Sequence, residues 1–200
     1  LEYLFAFHEK QVDGVILLGT VFQTEHKKIL KNLSVPVVIV GQQVSGYNCV
    51  FHDDYHAFYD LTRLFFERCR KKLGYIGAVQ QDVAVGAERY RAFCDVVRDM
   101  GHEELAENYV TADFTLQAGY EKAGELLEKC KDLDGLICAT DTMAAGAVRR
   151  LREMGIRIPE QILIGGQGDA QIARVAIPSL ITLHYSYEKS GEIAVQMLME

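Results

Sequence analysis

Short, continuously apolar segments alternate with amphipathic segments along this chain of 200 residues. The apolar segments are rich in Val, Ile and Leu and end at a glycine or a polar residue, which is typical of strands that are buried on both faces. The segments between them carry apolar residues at helical spacing. This alternation predicts an α/β doubly wound fold built on parallel sheets. The predicted strands include VDGVILLG, VVIVG, KLGYIGAV, DGLICAT and QILIGG.

Two of these strand pairs resemble each other. VDGVILLG followed by PVVIVG is echoed by LDGLICAT followed by QILIGG, which predicts two similar α/β subdomains. The last of the predicted helices begins with Ala, Gly and Met, and we interpret these small residues as letting it lie close against a sheet. Helices are expected over residues 1–11, 24–33, 55–70, 85–100, 116–129 and 143–154.

Composition limits the classes of function. The formal net charge of −7 provides no basic surface for neutralising the phosphates of a DNA duplex. The chain has five cysteines and no C-x-x-C spacing, which favours reduced thiols over a zinc site or a disulfide framework. No apolar run approaches the ~20 residues of a membrane span, and no signal peptide opens the sequence. These features predict a cytoplasmic protein.

Polar side chains follow nearly every predicted strand. In open parallel sheets, ligands bind outside the carboxyl ends of the strands. Hydroxyls, amides, carboxylates and an aromatic ring at one such edge are the groups that a polyhydroxylated ligand requires. The residues in question are Thr20, His52, Asp53, Asp54, Gln80, Gln81, Asp82, Asp113, Phe114, Thr140, Asp141, Gln167, Gly168 and Asp169.

For several candidate residues, the sequence allows both a structural role and a ligand-binding role. Arg89 is either a surface arginine paired with Glu88 or another acid, or a guanidinium that binds sugar hydroxyls or a phosphate. Phe114 is either a core residue or a stacking platform, and Tyr187 is either a helix-packing residue or a ligand contact. Asp169 also suits the first turn of a helix.

Catalytic and metal chemistry finds little support in the sequence. Phosphate-loop, H-E-x-x-H and G-x-S-x-G motifs are absent, and the glycines of IGGQGDA lack the third position of a dinucleotide fingerprint. A metal site at His52, Asp53 and Asp54 is disfavoured because adjacent residues splay apart, and no family signature surrounds a cysteine nucleophile. We expect no catalytic residues, no metal and no cofactor.

Several motifs, taken in order, resemble the lactose/galactose-repressor (LacI/GalR) family of bacterial transcription regulators. They are D-x-M-A-x-G-A at residues 141–147, G-I-R-I-P from Gly155, and P-S-L-I-T at residues 178–182 followed by Gly191. The resemblance covers nearly the whole chain. The VGQ, FHDDY and GGQGD stretches are most similar to repressors of sucrose operons. The resemblance implies a periplasmic-binding-protein-like (type I) fold of two doubly wound subdomains.

The resemblance also implies roles for individual residues. Arg89 matches an arginine that holds sugar hydroxyls or a charged effector, and Phe114 matches an aromatic that lies against a sugar ring. Thr140 with Asp141 matches a polar pair at a strand end. It also implies contacts from Asp53 or Asp54 on the opposite wall and from Tyr187 at a crossover between subdomains. Gln167 and Asp169 are candidate contacts because they follow a predicted strand. Relatives usually carry Asp in place of Gly168, so an altered hydrogen-bonding pattern is expected.

The implied function is the effector-binding part of a repressor. A small sugar or sugar phosphate, of sucrose type, would bind between an N-terminal subdomain (residues 1–71 and 185–200) and a C-terminal one (residues 72–184). It would thereby alter operator binding by a headpiece that is not in this sequence, in a homodimer. A sugar-binding protein of an uptake system and an enzyme on a doubly wound fold are the alternatives. Arg89→Ala is expected to weaken effector binding while the domain stays folded.

Overall fold

The computed structural model describes residues 12–68 and 70–200, so the helix expected over residues 1–11 lies outside the described residues. The chain forms two compact units. Unit 1 comprises the described residues up to His52 together with Ser186–Glu200, and unit 2 is Asp53–Tyr185. Both units contain a parallel sheet with helices, which confirms the predicted α/β class.

Most of the regular elements fall close to the predicted segments, whereas the last strand and the last two helices were not predicted. The strands are β1 (Val15–Leu18), β2 (Val37–Val40), β3 (Asn48–Val50), β4 (Leu73–Gly77), β5 (Tyr109–Thr111), β6 (Gly135–Cys138), β7 (Leu163–Gly168) and β8 (Ile181–His184). The helices are α1 (Thr24–Asn32), α2 (Asp54–Glu67), α3 (Arg89–Asp99), α4 (Leu116–Lys129), α5 (Asp141–Glu153), α6 (Gln171–Val175) and α7 (Tyr187–Met199). Within the described residues, none of the helices combines the length and apolarity that a membrane crossing requires.

Unit 1 is the smaller of the two. Its sheet has the order β1-β2-β3 with all strands parallel, and α7 packs against these strands. A small apolar cluster joins the two layers, in which Val38 and Val50 from the sheet meet Ala194 from α7. The C-terminal segment therefore completes a unit that begins far away in the sequence.

Unit 2 contains the main core. Its five parallel strands have the order β5-β4-β6-β7-β8, and β4 and β6 are buried along their whole length. Phe58, Leu61 and Phe65 of α2 belong to this core. The compact units therefore divide at His52/Asp53, whereas the sequence predicted a boundary after residue 71, because the apolar face of α2 is buried in unit 2.

One small residue of α5, Gly146, contacts a neighbouring helix and not the sheet. A Cβ atom at Gly146 would lie 2.0 Å from the carbonyl oxygen of Leu116, and one at Gly119 would lie 2.2 Å from the carbonyl oxygen of Met143. The two glycines therefore let α5 and α4 approach each other backbone to backbone. The helix also packs against β6 and β7, as expected, but Gly146 itself faces α4.

We expect Gly146→Ala to lower the free energy of unfolding by about 1–3 kcal/mol or more, because the methyl group would overlap a backbone carbonyl that a helix holds in place. The control is Gly191→Ala in α7, where a Cβ atom meets nothing within 4 Å. That substitution should stabilise the helix by about 0.5–1 kcal/mol. Urea denaturation of the complete protein measures both, and equal effects would contradict the close approach of α4 and α5.

Candidate functional site

Chain order and sheet order diverge around β4 in unit 2. From β4 the chain passes through α3 to β5 on one side, and it then passes through α4 to β6 on the other side. Open α/β sheets bind their ligands at such a reversal, outside the carboxyl ends of the two strands. The carboxyl ends of β4 and β6 are therefore where a ligand site of unit 2 is expected.

Arg89 lies at this reversal. It is the first residue of α3, which follows β4, and its Nη1 donates to the carbonyl oxygen of Ala139, which directly follows β6. Its Nε and Nη2 donate to Oδ1 of Asp54 over 2.8 and 2.5 Å. The two side chains are only 4% and 7% exposed. Arg89 is therefore paired with an acid, as its first interpretation expected, but the pair is buried and the acid is Asp54, since Glu88 pairs with Arg91.

A tyrosine that the sequence analysis did not select completes the network. The hydroxyl of Tyr185 donates to Oδ1 of Asp54 over 2.7 Å, and it accepts from Nη2 of Arg89 and from Nε2 of Gln167. Because the single hydroxyl proton goes to Asp54, Gln167 must turn its nitrogen toward Tyr185. The position of Tyr185, directly after the last strand of unit 2, was the signal that could have identified it.

Burial of the ion pair changes the expected effect of Arg89→Ala. Removing one partner of a buried pair leaves the other charge uncompensated, which costs about 3–5 kcal/mol. Arg89→Ala would therefore lower the stability of unit 2 as well as weaken ligand binding. The expectation that the domain stays folded needs correction, because Asp54 depends on Arg89 for its charge balance.

A π-helical turn at Val83–Glu88 delivers Arg89 to the site. Asp82 caps this turn, with its Oδ1 accepting from the backbone N–H of Val85 over 3.0 Å. A Cβ atom at Gly86 would lie 2.0 Å from the carbonyl oxygen of Val79, so only glycine fits this tight turn. The predicted helix over residues 85–100 is thus divided, and helices that contain such π-turns often do so at functional sites.

Asp141 has a structural role in this arrangement. It is buried at the start of α5, where Oδ2 accepts from the N–H of Ala170 over 2.8 Å and Oδ1 accepts from the hydroxyl of Thr182 over 2.6 Å. Burial raises the pKa of Asp141, and these hydrogen bonds oppose the rise. A Cβ atom at Gly166 would approach Oδ1 to 2.5 Å. Asp141 therefore ties the loop after β7 and strand β8 to α5.

Asp169 is held by a guanidinium and an imidazole. Its carboxylate accepts from Nε and Nη2 of Arg174 over 3.1 and 2.7 Å, and it lies 2.9 Å from Nδ1 of His184. Hydrogen bonds from Arg174 and then His184 lower its pKa to about 2. The preceding Gly168 has φ of 132° and Asp169 itself has φ of 48°. Glycine at 168 thus fits a backbone conformation that disfavours side chains.

Two predicted contacts remain available for a ligand. Phe114 lies in the loop after β5 and is 42% exposed, which contradicts the core interpretation. Thr140 is half-buried at the carboxyl end of β6, and its hydroxyl accepts from the N–H of Met143 over 3.3 Å as the cap of α5.

The remaining predicted contacts lie elsewhere. Asp53 caps α2, accepting from the N–H of His56 over 3.0 Å, and this bond lowers its pKa. The resemblance placed Asp53 or Asp54 on the opposite wall, whereas both belong to unit 2 with Arg89. Tyr187 belongs to unit 1, as the first residue of α7, and is 59% exposed.

Metal and thiol chemistry finds no support in the part of the chain that the structure describes. Over residues 12–68 and 70–200, no group of three His, Cys, Asp or Glu side chains is arranged to hold a metal ion. Burial raises the pKa of Cys94, Cys130 and Cys138, most strongly for Cys138. A nucleophilic cysteine needs a lowered pKa, so these three thiols are not suited to that role.

Two α/β units, with polar groups gathered at the carboxyl ends of parallel strands in unit 2, place this chain in a class of ligand-binding proteins. The sequence profile of the Periplasmic binding protein-like domain matches residues 62–200. Since the match covers well over half of the chain, the chain belongs to the periplasmic-binding-protein-like domain family.

Within that family the chain is similar to LacI-family regulators. The sucrose operon repressor of Staphylococcus xylosus is 24% identical over 198 residues, which cover 99% of this chain and 61% of the repressor. The repressor PurR of Pectobacterium carotovorum is 28% identical over 202 residues, covering 99% and 59%. A solved transcriptional regulator CelR–cellobiose complex is 26% identical with a TM-score of 0.90, covering 99% and 62%. The chain therefore spans about three fifths of these relatives.

The low pKa of Asp169 predicts a pH-dependent contribution to stability. Its folded value of about 2 lies below the ~3.9 of an unfolded chain, so the ionised form favours folding. Asp169→Asn should therefore lower the melting temperature at pH 6, and the difference from the unmodified protein should vanish as the pH falls from about 4 to about 2.

The matched control is Asp113→Asn, which removes an exposed carboxylate from the loop after β5. It should change the melting temperature little at any of these pH values. If the effect of Asp169→Asn were the same at pH 6 and pH 2, Arg174 and His184 would not stabilise the fold through the charge of Asp169.

Proposed function

We propose that this chain is the effector-binding domain of a cytoplasmic bacterial transcriptional repressor, and that its effector is a small sugar or sugar phosphate, with sucrose-type sugars as the first candidates. The observation that carries the proposal is the position of Arg89 at the carboxyl ends of β4 and β6, where sheets of this kind bind their ligands. A guanidinium presents several fixed N–H donors, which suits neighbouring sugar hydroxyls.

The other polar and aromatic groups of unit 2 support a sugar. Sugar hydroxyls both donate and accept hydrogen bonds, and Gln167 and Thr140 bring amide and hydroxyl groups of the same kind. The exposed ring of Phe114 supplies a surface on which the apolar face of a sugar can stack. The solved relative CelR is described as a complex with cellobiose, and another relative is named a sucrose operon repressor.

The Arg89 network offers a route from ligand binding to a change in the whole protein. The chain passes between units at His52/Asp53 and again at Tyr185/Ser186. Arg89 bonds to Asp54 and to Tyr185, which lie at or next to these two crossing points. A ligand that draws Arg89 toward its own hydroxyls changes the hydrogen bonds of both crossing segments. It acts only through the difference in its affinity for the two arrangements.

In the complete protein, this change would be read out as altered binding to an operator by a DNA-binding headpiece, with the protein acting as a homodimer. Dimeric repressors match two half-sites at a fixed spacing, so a small change in headpiece spacing weakens DNA binding. The sugar that binds should therefore change the affinity of the complete protein for the promoter that it controls. Sugar binding without any effect on DNA affinity would contradict the repressor assignment.

Arg89→Lys tests the site without leaving Asp54 unpaired. The ammonium group keeps the charge but cannot reach Asp54, Tyr185 and the carbonyl of Ala139 at once. We expect the complete protein to stay folded and its affinity for the sugar to fall by about 10- to 100-fold, the equivalent of one or two lost charged hydrogen bonds. Isothermal titration measures this with sucrose, sucrose 6-phosphate, fructose and fructose phosphates, and with a purine as negative control.

The matched control is Arg91→Lys, an exposed arginine two positions along α3 that pairs with Glu88. It should leave the affinity for the sugar unchanged. Equal affinities for all three proteins would remove Arg89 from the site, and absence of heat with every sugar would overturn the proposed class of effector.

A further inference from the structure

Two acceptor atoms next to Arg89 are buried without a hydrogen-bond partner. They are Oδ2 of Asp82 and Oε1 of Gln167, in side chains that are 1% and 3% exposed. The orientation of Gln167 follows from the single proton of Tyr185, and Asp82 is oriented by its cap on Val85. Both atoms are acceptors here, so a bound molecule that brings O–H or N–H donors would satisfy them.

The charges of this region are unequal. We name Arg89, Asp54, Asp82, Gln167 and Tyr185 the Arg89 cluster. The cluster contains one cation, Arg89, and two carboxylates, Asp54 and Asp82. Asp54 accepts hydrogen bonds directly from the guanidinium of Arg89. Burial raises the pKa of Asp82, and Asp54 adds to the rise, whereas the hydrogen bond from Val85 and the nearby charge of Arg89 oppose it. Arg174 pairs with Asp169 and is not among the groups that act on Asp82.

We infer that the Arg89 cluster selects an uncharged, hydroxyl-rich ligand, and that Asp82 is the residue that discriminates against phosphorylated sugars. This inference rests on the proposed function and narrows its class of effector. A neutral sugar brings O–H donors for Oδ2 of Asp82 and Oε1 of Gln167, and its ring oxygens can accept from Arg89. A phosphate dianion brings acceptors alone, and it adds negative charge beside two buried carboxylates.

A different arrangement would be expected for a phosphate site. Such sites present unoccupied cations and backbone N–H groups to the ligand. Here the turn that precedes Arg89 has its cap position taken by the carboxylate of Asp82, and the guanidinium already donates to Asp54, Tyr185 and Ala139. A phosphate would have to displace a carboxylate from Arg89, whereas a hydroxyl can join the existing network.

The test compares matched pairs of ligands on the complete protein by isothermal titration. The pairs are sucrose with sucrose 6-phosphate, and fructose with fructose 6-phosphate. In the pair that binds, the neutral member should bind at least about tenfold more tightly, the equivalent of one hydrogen bond to a charged group.

Asp82→Asn is the decisive variant. Asn caps a helical turn as well as Asp does, so the turn at Val83–Glu88 should persist, as unchanged melting and circular dichroism would show. The variant replaces an acceptor by an N–H₂ donor and removes one charge. The affinity for the neutral sugar should fall by about tenfold, and its advantage over the phosphorylated sugar should shrink or reverse.

The control is Asp132→Asn, which makes the same chemical change at an exposed residue that precedes β6 and pairs with Lys72. It should leave the ratio of the two affinities unchanged. Tighter binding of the phosphorylated member, or an unchanged ratio in Asp82→Asn, would overturn the inference while leaving a sugar-sensing domain in place. Absence of binding by all four sugars would overturn the proposed function and the inference together.

Discussion

The buried contact between Arg89 and Asp54 holds together the parts of unit 2 that a ligand would meet. Asp54 begins α2, Arg89 begins α3, and the same guanidinium reaches the backbone that follows β6. A buried ion pair is costly unless its geometry is good and its other hydrogen-bonding groups are satisfied. The hydroxyl of Tyr185 meets this condition by bonding to both partners. The pair thus ties two helices and two strand ends to one point.

The close packing of α4 against α5 holds the residues around the Arg89–Asp54 pair in place. Gly119 and Gly146 bring α4 and α5 into backbone contact, and Asp141 at the start of α5 binds the loop that follows β7. Gly166 leaves room for the carboxylate of Asp141. The polar groups of these residues are engaged within the protein. Their role is to position Gln167 and Thr140, whose side chains have groups available to a ligand.

The strands and helices follow from the sequence because apolar period and length are local properties of a segment. The same holds for the carboxyl-end location of the site, which needs only the order of strands and helices. The partner of Arg89 does not follow, since Asp54 is 35 positions away in the sequence. Nor does the role of Asp141, because a carboxylate at a strand end looks alike whether it faces a ligand or a neighbouring loop. The π-turn before Arg89 could not be predicted, because the spacing of apolar residues does not distinguish a π-turn from an α-helix.

The placement of Asp54 and Tyr185 beside the two crossing points has a genetic consequence. If the proposed function holds, substitutions of Arg89 or Asp54 would change folding, ligand affinity and the regulatory response at the same time. A collection of regulatory mutants would then show mixed defects at these positions. Variants that alter which sugar is sensed, with the response intact, would be found instead at residues such as Phe114 and Asp82, which do not bond to either crossing segment.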